Sequence, residues 1–223
     1  MALAARMQKK IWRIKELDGQ AKALADALRT HPLVAQVLLN RQVGSREEAE
    51  VFLAPKLTEL IPPGQMPGAA KAAARIRQAV EAGESIAIYG DYDVDGITGV
   101  SILYHLLKLL GAKVQYYIPH RIDEGYGLNP EAVEQLAAGG VELIVTVDCG
   151  ITAVDVAQAA KERGLSLIIT DHHQFGEFLP DAEAIVHPLL DETYGNPDSA
   201  GAMVAFKTAW AVAESIKTGG RNS

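Results

Sequence analysis

Ser85-Ile86-Ala87-Ile88-Tyr89-Gly90-Asp91-Tyr92-Asp93-Val94-Asp95-Gly96 sets an apolar run directly ahead of three carboxylates at alternate positions. Ser85 to Tyr89 reads as a short buried strand, and the apolar-periodic segment from Ile97 to Leu110 reads as a helix stopped by Gly111. Gly96 then serves as the residue that lets the backbone turn into that helix. A strand, a polar loop and a helix form the repeating unit of open α/β sheets, which bind ligands beyond the carboxyl ends of their strands.

The unit recurs on both sides. Ala69 to Ala82 reads as a helix closed by Gly83. Strands are predicted over Lys113 to Ile118, Glu142 to Val147, Leu165 to Thr170 and the short run Ala184 to Val186. Helices are predicted from Asn129-Pro130 to Ala138, from Thr152 to Arg163 and from Ser199 to about Ile216. The strands are near-continuous apolar runs, as required when both faces are covered. The fold class is therefore α/β, a mostly parallel sheet with helices on both faces. Residues 1–66 differ: Asp18 to Leu39 has helical spacing broken at Pro32, Ser45 and Glu48 form a capping-box pattern, and Ile61-Pro62-Pro63-Gly64 and Pro67-Gly68 are breakers. They are expected to form a helical leader, residues 67–216 the main domain, and 217–223 a loose tail.

Bulk properties narrow the function classes. The 223 residues carry a net charge of −7, unevenly spread. Residues 1–80 hold 13 Lys and Arg against 7 Asp and Glu, whereas residues 81–223 hold 8 against 21. An acidic half is a poor partner for polyanions unless bound cations reverse the local sign. Cys149 is the one cysteine, which excludes an internal disulfide and a multi-cysteine zinc site. With no bilayer-length apolar stretch and no secretory pattern at Met1 to Lys10, a cytoplasmic location and no membrane partner are expected.

Three predicted strands end in polar clusters: Asp91, Asp93 and Asp95; Asp148-Cys149-Gly150; and Asp171-His172-His173. Turn chemistry accounts for one Asp, but not for five Asp and two His at one edge of one sheet. Carboxylates with one or two imidazoles suit manganese or magnesium, and two such ions can serve phosphoryl transfer. The spacing Asp91-x-Asp93-x-Asp95-Gly96 opens like an EF-hand loop, but its twelfth position is Ile102 rather than Glu, and a strand precedes it. Arg121, in the loop Pro119 to Leu128, reads equally as a solvated arginine or as a phosphate clamp at the same rim. His105 reads as a structural helix residue, His31 as a turn residue and Cys149 as small and buried.

Gly90 to Gly96, Val147-Asp148-Cys149-Gly150 and Asp171-His172-His173 resemble the first three motifs of the DHH phosphoesterase superfamily. Glu124-Gly125-Tyr126-Gly127-Leu128, Ala200 to Lys207 and the leader from His31 to Leu53 resemble its RecJ branch. The resemblance implies a 5′-to-3′ exonuclease of single-stranded DNA, acting in repair and recombination with two divalent ions, manganese or magnesium. It implies Asp91, Asp93, Asp95, Asp148 and His172 as metal ligands. It implies Asp95, Arg121 and His173 as catalytic residues, and Arg121, His173, Tyr126 and Gly127 against substrate. A single-strand-binding protein or a helicase is an expected partner. Tyr89 stands where many superfamily members place a His ligand, and His187-Pro188 where the branch usually shows Asn-Pro. A fourth motif with a further metal-binding Asp is expected beyond this chain, which then reads as an incomplete fragment. An oligonucleotide or cyclic-dinucleotide phosphodiesterase, and a catalytically impaired DNA- or partner-binding module, stand as alternatives.

Overall fold

The computed structural model describes residues 18–219, together with 11, 13 and 16. Contacts divide the chain into two units, Met1–Leu60 and Ile61–Ser223. The sequence places this division at 66/67; residues 61–66 group with the second unit because the buried Lys207 ammonium donates to the Ile61 carbonyl and Met66 packs into the core. The N-terminal segment 1–10 and residues 220–223 lie outside the described residues.

The first unit contains α1 (Ala21–Leu28), α2 (Pro32–Asn40) and α3 (Arg46–Leu53). His31 caps α2 by accepting from the Leu33 amide, and Pro32 takes the first helical position, where its missing N–H costs nothing. Ser45 and Glu48 close a reciprocal capping box on α3. Ala21, Leu24, Ala25, Ala35, Leu38 and Ala49 make the small core of this unit.

The second unit is α4 (Ala69–Ala82), β1 (Ser85–Gly90), α5 (Val94–Leu109), β2 (Lys113–Tyr117), α6 (Pro130–Ala138), β3 (Leu143–Val147), α7 (Val154–Glu162), β4 (Ser166–Thr170), β5 (Ala184–Val186) and α8 (Gly201–Gly219). Its strands form one parallel sheet in the order β2-β1-β3-β4-β5. Ile86 and Ile88 point to the face covered by α4, α5 and α8, and Ala87 and Tyr89 to the face covered by α6 and α7. The buried side of α4 is Ala69, Ala72, Ala73, Ile76 and Ala79, four alanines and one isoleucine at helical spacing that pack against α8. No helix among the described residues is long and apolar enough to cross a membrane.

Two boundaries depart from expectation. α5 begins at Val94, three residues before Ile97, because Asp93 adopts an extended backbone and its Oδ1 accepts from the Asp95 and Gly96 amides at 2.8 and 2.9 Å. α8 continues to Gly219, so 217–219 are helical rather than tail.

Candidate metal centre

The order of the strands reverses at β1, with β2 on one side and β3 on the other, which opens a crevice at the carboxyl edge between β1 and β3. There the ladder runs one residue past each strand. The amides of Asp91, Asp148 and Asp171 donate to Val147, Thr170 and Val186 carbonyls at 3.2, 2.9 and 3.1 Å. Three carboxylates are thereby laid in one row, at the first position beyond three neighbouring strands.

Asp148 is the centre of this row. It is 1 % exposed and holds φ +61°, a left-handed conformation that Asp tolerates better than most residues. Thr146 and Thr170 brace the turn: Thr146 Oγ1 donates to the Cys149 carbonyl at 2.7 Å, and Thr170 Oγ1 to the Thr146 carbonyl at 2.7 Å. Asp148 Oδ1 has no hydrogen-bond partner although buried, nor has Asp91 Oδ1. His172 Nε2 comes within 3.1 Å of Asp148 Oδ1 but off hydrogen-bond alignment. Burial pushes Asp148 up to about 7, helped by the negative charges of Asp95 and Asp93; burial also raises Asp91. Orphaned, buried carboxylate oxygens are costly unless a cation satisfies them.

Two groups of donors lie close enough to grip an ion. In Asp91, Asp93 and Asp148 the ligand atoms all fall within 4.8 Å of one another, and the same holds for Asp148, His172 and His173. Asp148 belongs to both. The donor set is oxygen-rich with imidazole and suits a hard divalent cation.

Asp95 lies outside both groups. Its two oxygens accept from the Gly201 and Ala202 amides at 2.7 Å each, capping α8 from a position 106 residues earlier in the chain. It remains 3.7 Å from His172 Nε2. Gly201 is forced here, since a Cβ on it would stand 2.3 Å from Asp148 Oδ1. Gly96 likewise serves close approach rather than a turn: a Cβ there would meet the Asp91 carbonyl oxygen at 2.4 Å.

Asp171 organises this edge of the site, a role that its motif does not announce. Its Oδ1 accepts from the His172 amide (2.7 Å), the His173 amide (3.2 Å) and His173 Nδ1 (2.7 Å), and its Oδ2 accepts from the Ile151 amide at 2.9 Å. Burial alone would lower the His173 pKa; the carboxylates of Asp171, Asp148 and Asp91 outweigh it and raise it. The Tyr126 hydroxyl sits 3.1 and 3.2 Å from the two His173 ring nitrogens. Buried His187, at the position of the expected Asn, binds the His173 carbonyl through Nε2 at 2.8 Å. A pocket of about 560 Å³ opens beside the donors, walled by Tyr126, Gly127, Leu128, Ile151, Asp171 and His173. Arg121 stands over the ring of Tyr92, the residue between Asp91 and Asp93, at 5.2 Å.

The loop carrying Arg121, Tyr126 and Gly127 is tied down from below. Glu124 accepts from the His120 amide (2.6 Å), the Tyr117 hydroxyl (2.5 Å) and Asn129 (3.3 Å). These bonds hold the Glu124 carboxyl below its ordinary range and push Tyr117 up to about 12. Tyr89 stacks on Tyr117 at 5.3 Å, donates to the Gly127 carbonyl at 2.8 Å and accepts from Asn129 at 3.2 Å. Tyr89→Phe should cost about 1–2 kcal/mol in urea unfolding and accelerate hydrogen exchange at the Glu124 amide. Unchanged exchange there would show that the loop is held without this hydroxyl.

A model of the N-terminal domain of the DHH family matches residues 85–221. The chain is 46 % identical over 212 residues to the single-stranded-DNA-specific exonuclease RecJ of Bacillus subtilis, covering 94 % of this chain and 27 % of that protein. It is similar to the crystal structure of Thermus thermophilus RecJ in complex with Mn2+, with a TM-score of 0.70 and 33 % identity over 89 % of this chain and 27 % of that one. A crystal structure of exonuclease RecJ bound to manganese gives 0.64 and 40 % identity over 68 % of this chain and 38 % of that one. The chain thus spans roughly a quarter to a third of the length of the curated RecJ relatives it matches.

Proposed function

The chain belongs to the DHH family, and on that premise we propose that it forms the metal-bearing part of a phosphodiesterase hydrolysing single-stranded DNA, as its relatives' names describe. The observation that carries this reading is the pair of orphaned buried oxygens on Asp91 and Asp148, placed where three strands deliver carboxylates to one crevice. Digestion from the 5′ end rests on the family resemblance alone.

Asp91, Asp93 and Asp148 would hold one divalent ion, and Asp148 with His172 would contribute to holding a second. Asp95, whose oxygens each keep a second lone pair, would join this set. Manganese or magnesium, when bound, supplies a Lewis acid that acidifies water and offsets the charge on a transferring phosphoryl group. The chain's own residues do the rest. Arg121 presents a forked cation to the non-bridging phosphate oxygens. His173, its Nδ1 fixed by Asp171 and its proton affinity raised, offers Nε2–H to the same oxygens as negative charge builds. Tyr126 and Gly127 form the wall against which a terminal nucleotide would lie. Single-strand-binding protein or a helicase would deliver the strand, and the cell's cytoplasm is the compartment for such work.

The test is release of mononucleotides from single-stranded DNA by the gene product that carries this chain, with manganese present. Asp93→Ala should reduce the rate by at least about a thousandfold, since it removes both a ligand and the cap of α5. Preferred hydrolysis of dinucleotides or cyclic dinucleotides over long single strands would overturn the substrate assignment.

A further inference from the structure

We infer that the flank formed by α5 and the edge strand β2 is a second contact track for single-stranded nucleic acid, leading away from the carboxylate crevice. The inference rests on the single-strand substrate proposed above and adds a surface to it. Residues 96–122 contain no Asp or Glu, although residues 81–223 as a whole are strongly acidic. Within that stretch stand Lys108, Lys113 and Arg121, none of them in an ion pair among the described residues, whereas Lys161 and Arg163 pair with Asp181 and Glu134. Cations outside ion pairs thus gather on the flank and carboxylates are absent from this stretch, the charge pattern a polyanion needs.

The flank also carries stacking surfaces. Ile97, Ser101, Tyr104, His105 and Lys108 fall on one stripe of α5. With Tyr116 of β2 the upper part of this stripe lines a groove of about 310 Å³. Tyr104 meets Tyr116 edge to face at 5.5 Å, and Lys108 Nζ lies 5.5 Å from the Tyr104 ring centre. Tyr116 is 60 % exposed. His105, expected as a structural helix residue, is exposed and joins this cluster at 5.9 Å from Tyr104. From Ile97 to Lys108 the stripe runs about 16 Å at the helical rise. Its upper end lies in the first turns of α5, shortly after the Asp91–Asp95 loop in the chain, and Arg121 stands over the ring of Tyr92 in that loop. Aromatic faces spaced between cations are the means by which single strands are held without sequence preference. A protein strand added to the free edge of β2 fits less well, because charged Lys113 opens that strand and Pro119 follows it closely.

Fluorescence anisotropy of this chain with a 5′-labelled oligothymidylate in EDTA at low salt tests the inference. The probes are the thymidylate and an abasic strand of equal length. Tyr116→Ala should weaken thymidylate binding at least about fivefold and leave the abasic strand unaffected. Lys108→Glu should weaken both and flatten the salt dependence. Both side chains are on the surface, so melting temperatures should match the unaltered chain. If both variants bind as the unaltered chain does while Arg121→Ala binds less, the track is wrong and the single-strand reading stands. If the unaltered chain binds neither probe, the track is wrong. A shift in sedimentation with unchanged oligonucleotide affinity would assign the flank to protein contacts and overturn the inference.

Discussion

Asp148→Asn is expected to abolish tight manganese binding and, at the same time, to raise the melting temperature of the metal-free chain at pH 8. The two effects have opposite signs because they come from the same buried charge. Asp148 is pushed up to about 7 by burial and by Asp95 and Asp93, far above the ordinary carboxylate range. Between about pH 4 and pH 7 the folded chain therefore holds a proton that the unfolded chain has released. Stability contributed by this group is present at low pH and is lost as pH rises through 7. Above 7 the cost of keeping the carboxylate ionised is on the order of 4 kcal/mol. Asparagine is nearly isosteric, accepts the φ of +61°, and has no charge to desolvate. Metal-free Asp148→Asn should consequently melt several degrees higher than the parent at pH 8, with the gap narrowing steadily as pH falls from 7 toward 4. Calorimetric titration with manganese should show no saturable heat for the variant, while the parent binds more tightly as pH rises and releases a proton on binding near pH 7. Equal manganese affinity in parent and variant would remove Asp148 from the centre of the site.

The sheet and most helices were legible because their causes are local. Strands buried on both faces must be apolar runs, and Gly83, Gly111, Pro32 and the pair Ser45 and Glu48 punctuate helices through their own backbone chemistry. The start of α5 at Val94 rather than Ile97 has a local cause as well. Three alternating carboxylates look alike in sequence, and only the extended backbone of Asp93 shows that its side chain turns back onto the next two amides. What sequence could not supply were roles fixed by distant partners. Asp171 is bound to the Ile151 amide across 20 residues, Tyr89 to Gly127 across 38, and Asp95 to α8 across 106. Each of these residues lies within a motif or beside one. What each does depends on where the sheet brings its partner, and periodicity carries no such information. The same holds for Gly96 and Gly201, whose lack of a side chain answers to Asp91 and Asp148 rather than to a turn.

Gly201→Ala should be the most damaging single change at the second of these contacts, and Asp148→Gly should rescue much of it. A Cβ on Gly201 would stand 2.3 Å from Oδ1, 2.7 Å from Cγ and 2.9 Å from Cβ of Asp148. None of these atoms can yield cheaply. Asp148 is buried, its turn is braced by Thr146 and Thr170, and α8 is held in place by Asp95 bonding to the Gly201 and Ala202 amides. The helix start must retreat or the Asp148 turn must open, and either breaks those bonds while leaving buried groups unsatisfied. The expected cost is about 3 kcal/mol or more in urea unfolding, with manganese binding lost. Glycine at 148 removes all three clashing atoms, and the left-handed backbone there suits it. In the Asp148→Gly background, Gly201→Ala should therefore cost less than about 1 kcal/mol, a coupling of about 2 kcal/mol between the two positions. A shortage of backbone freedom at 201 would behave otherwise: the cost would be the same whatever stands at 148, and additive costs in the double-mutant cycle would refute the contact as the reason for this glycine. The cycle thus separates a glycine kept for space against a metal-binding carboxylate from one kept for conformation.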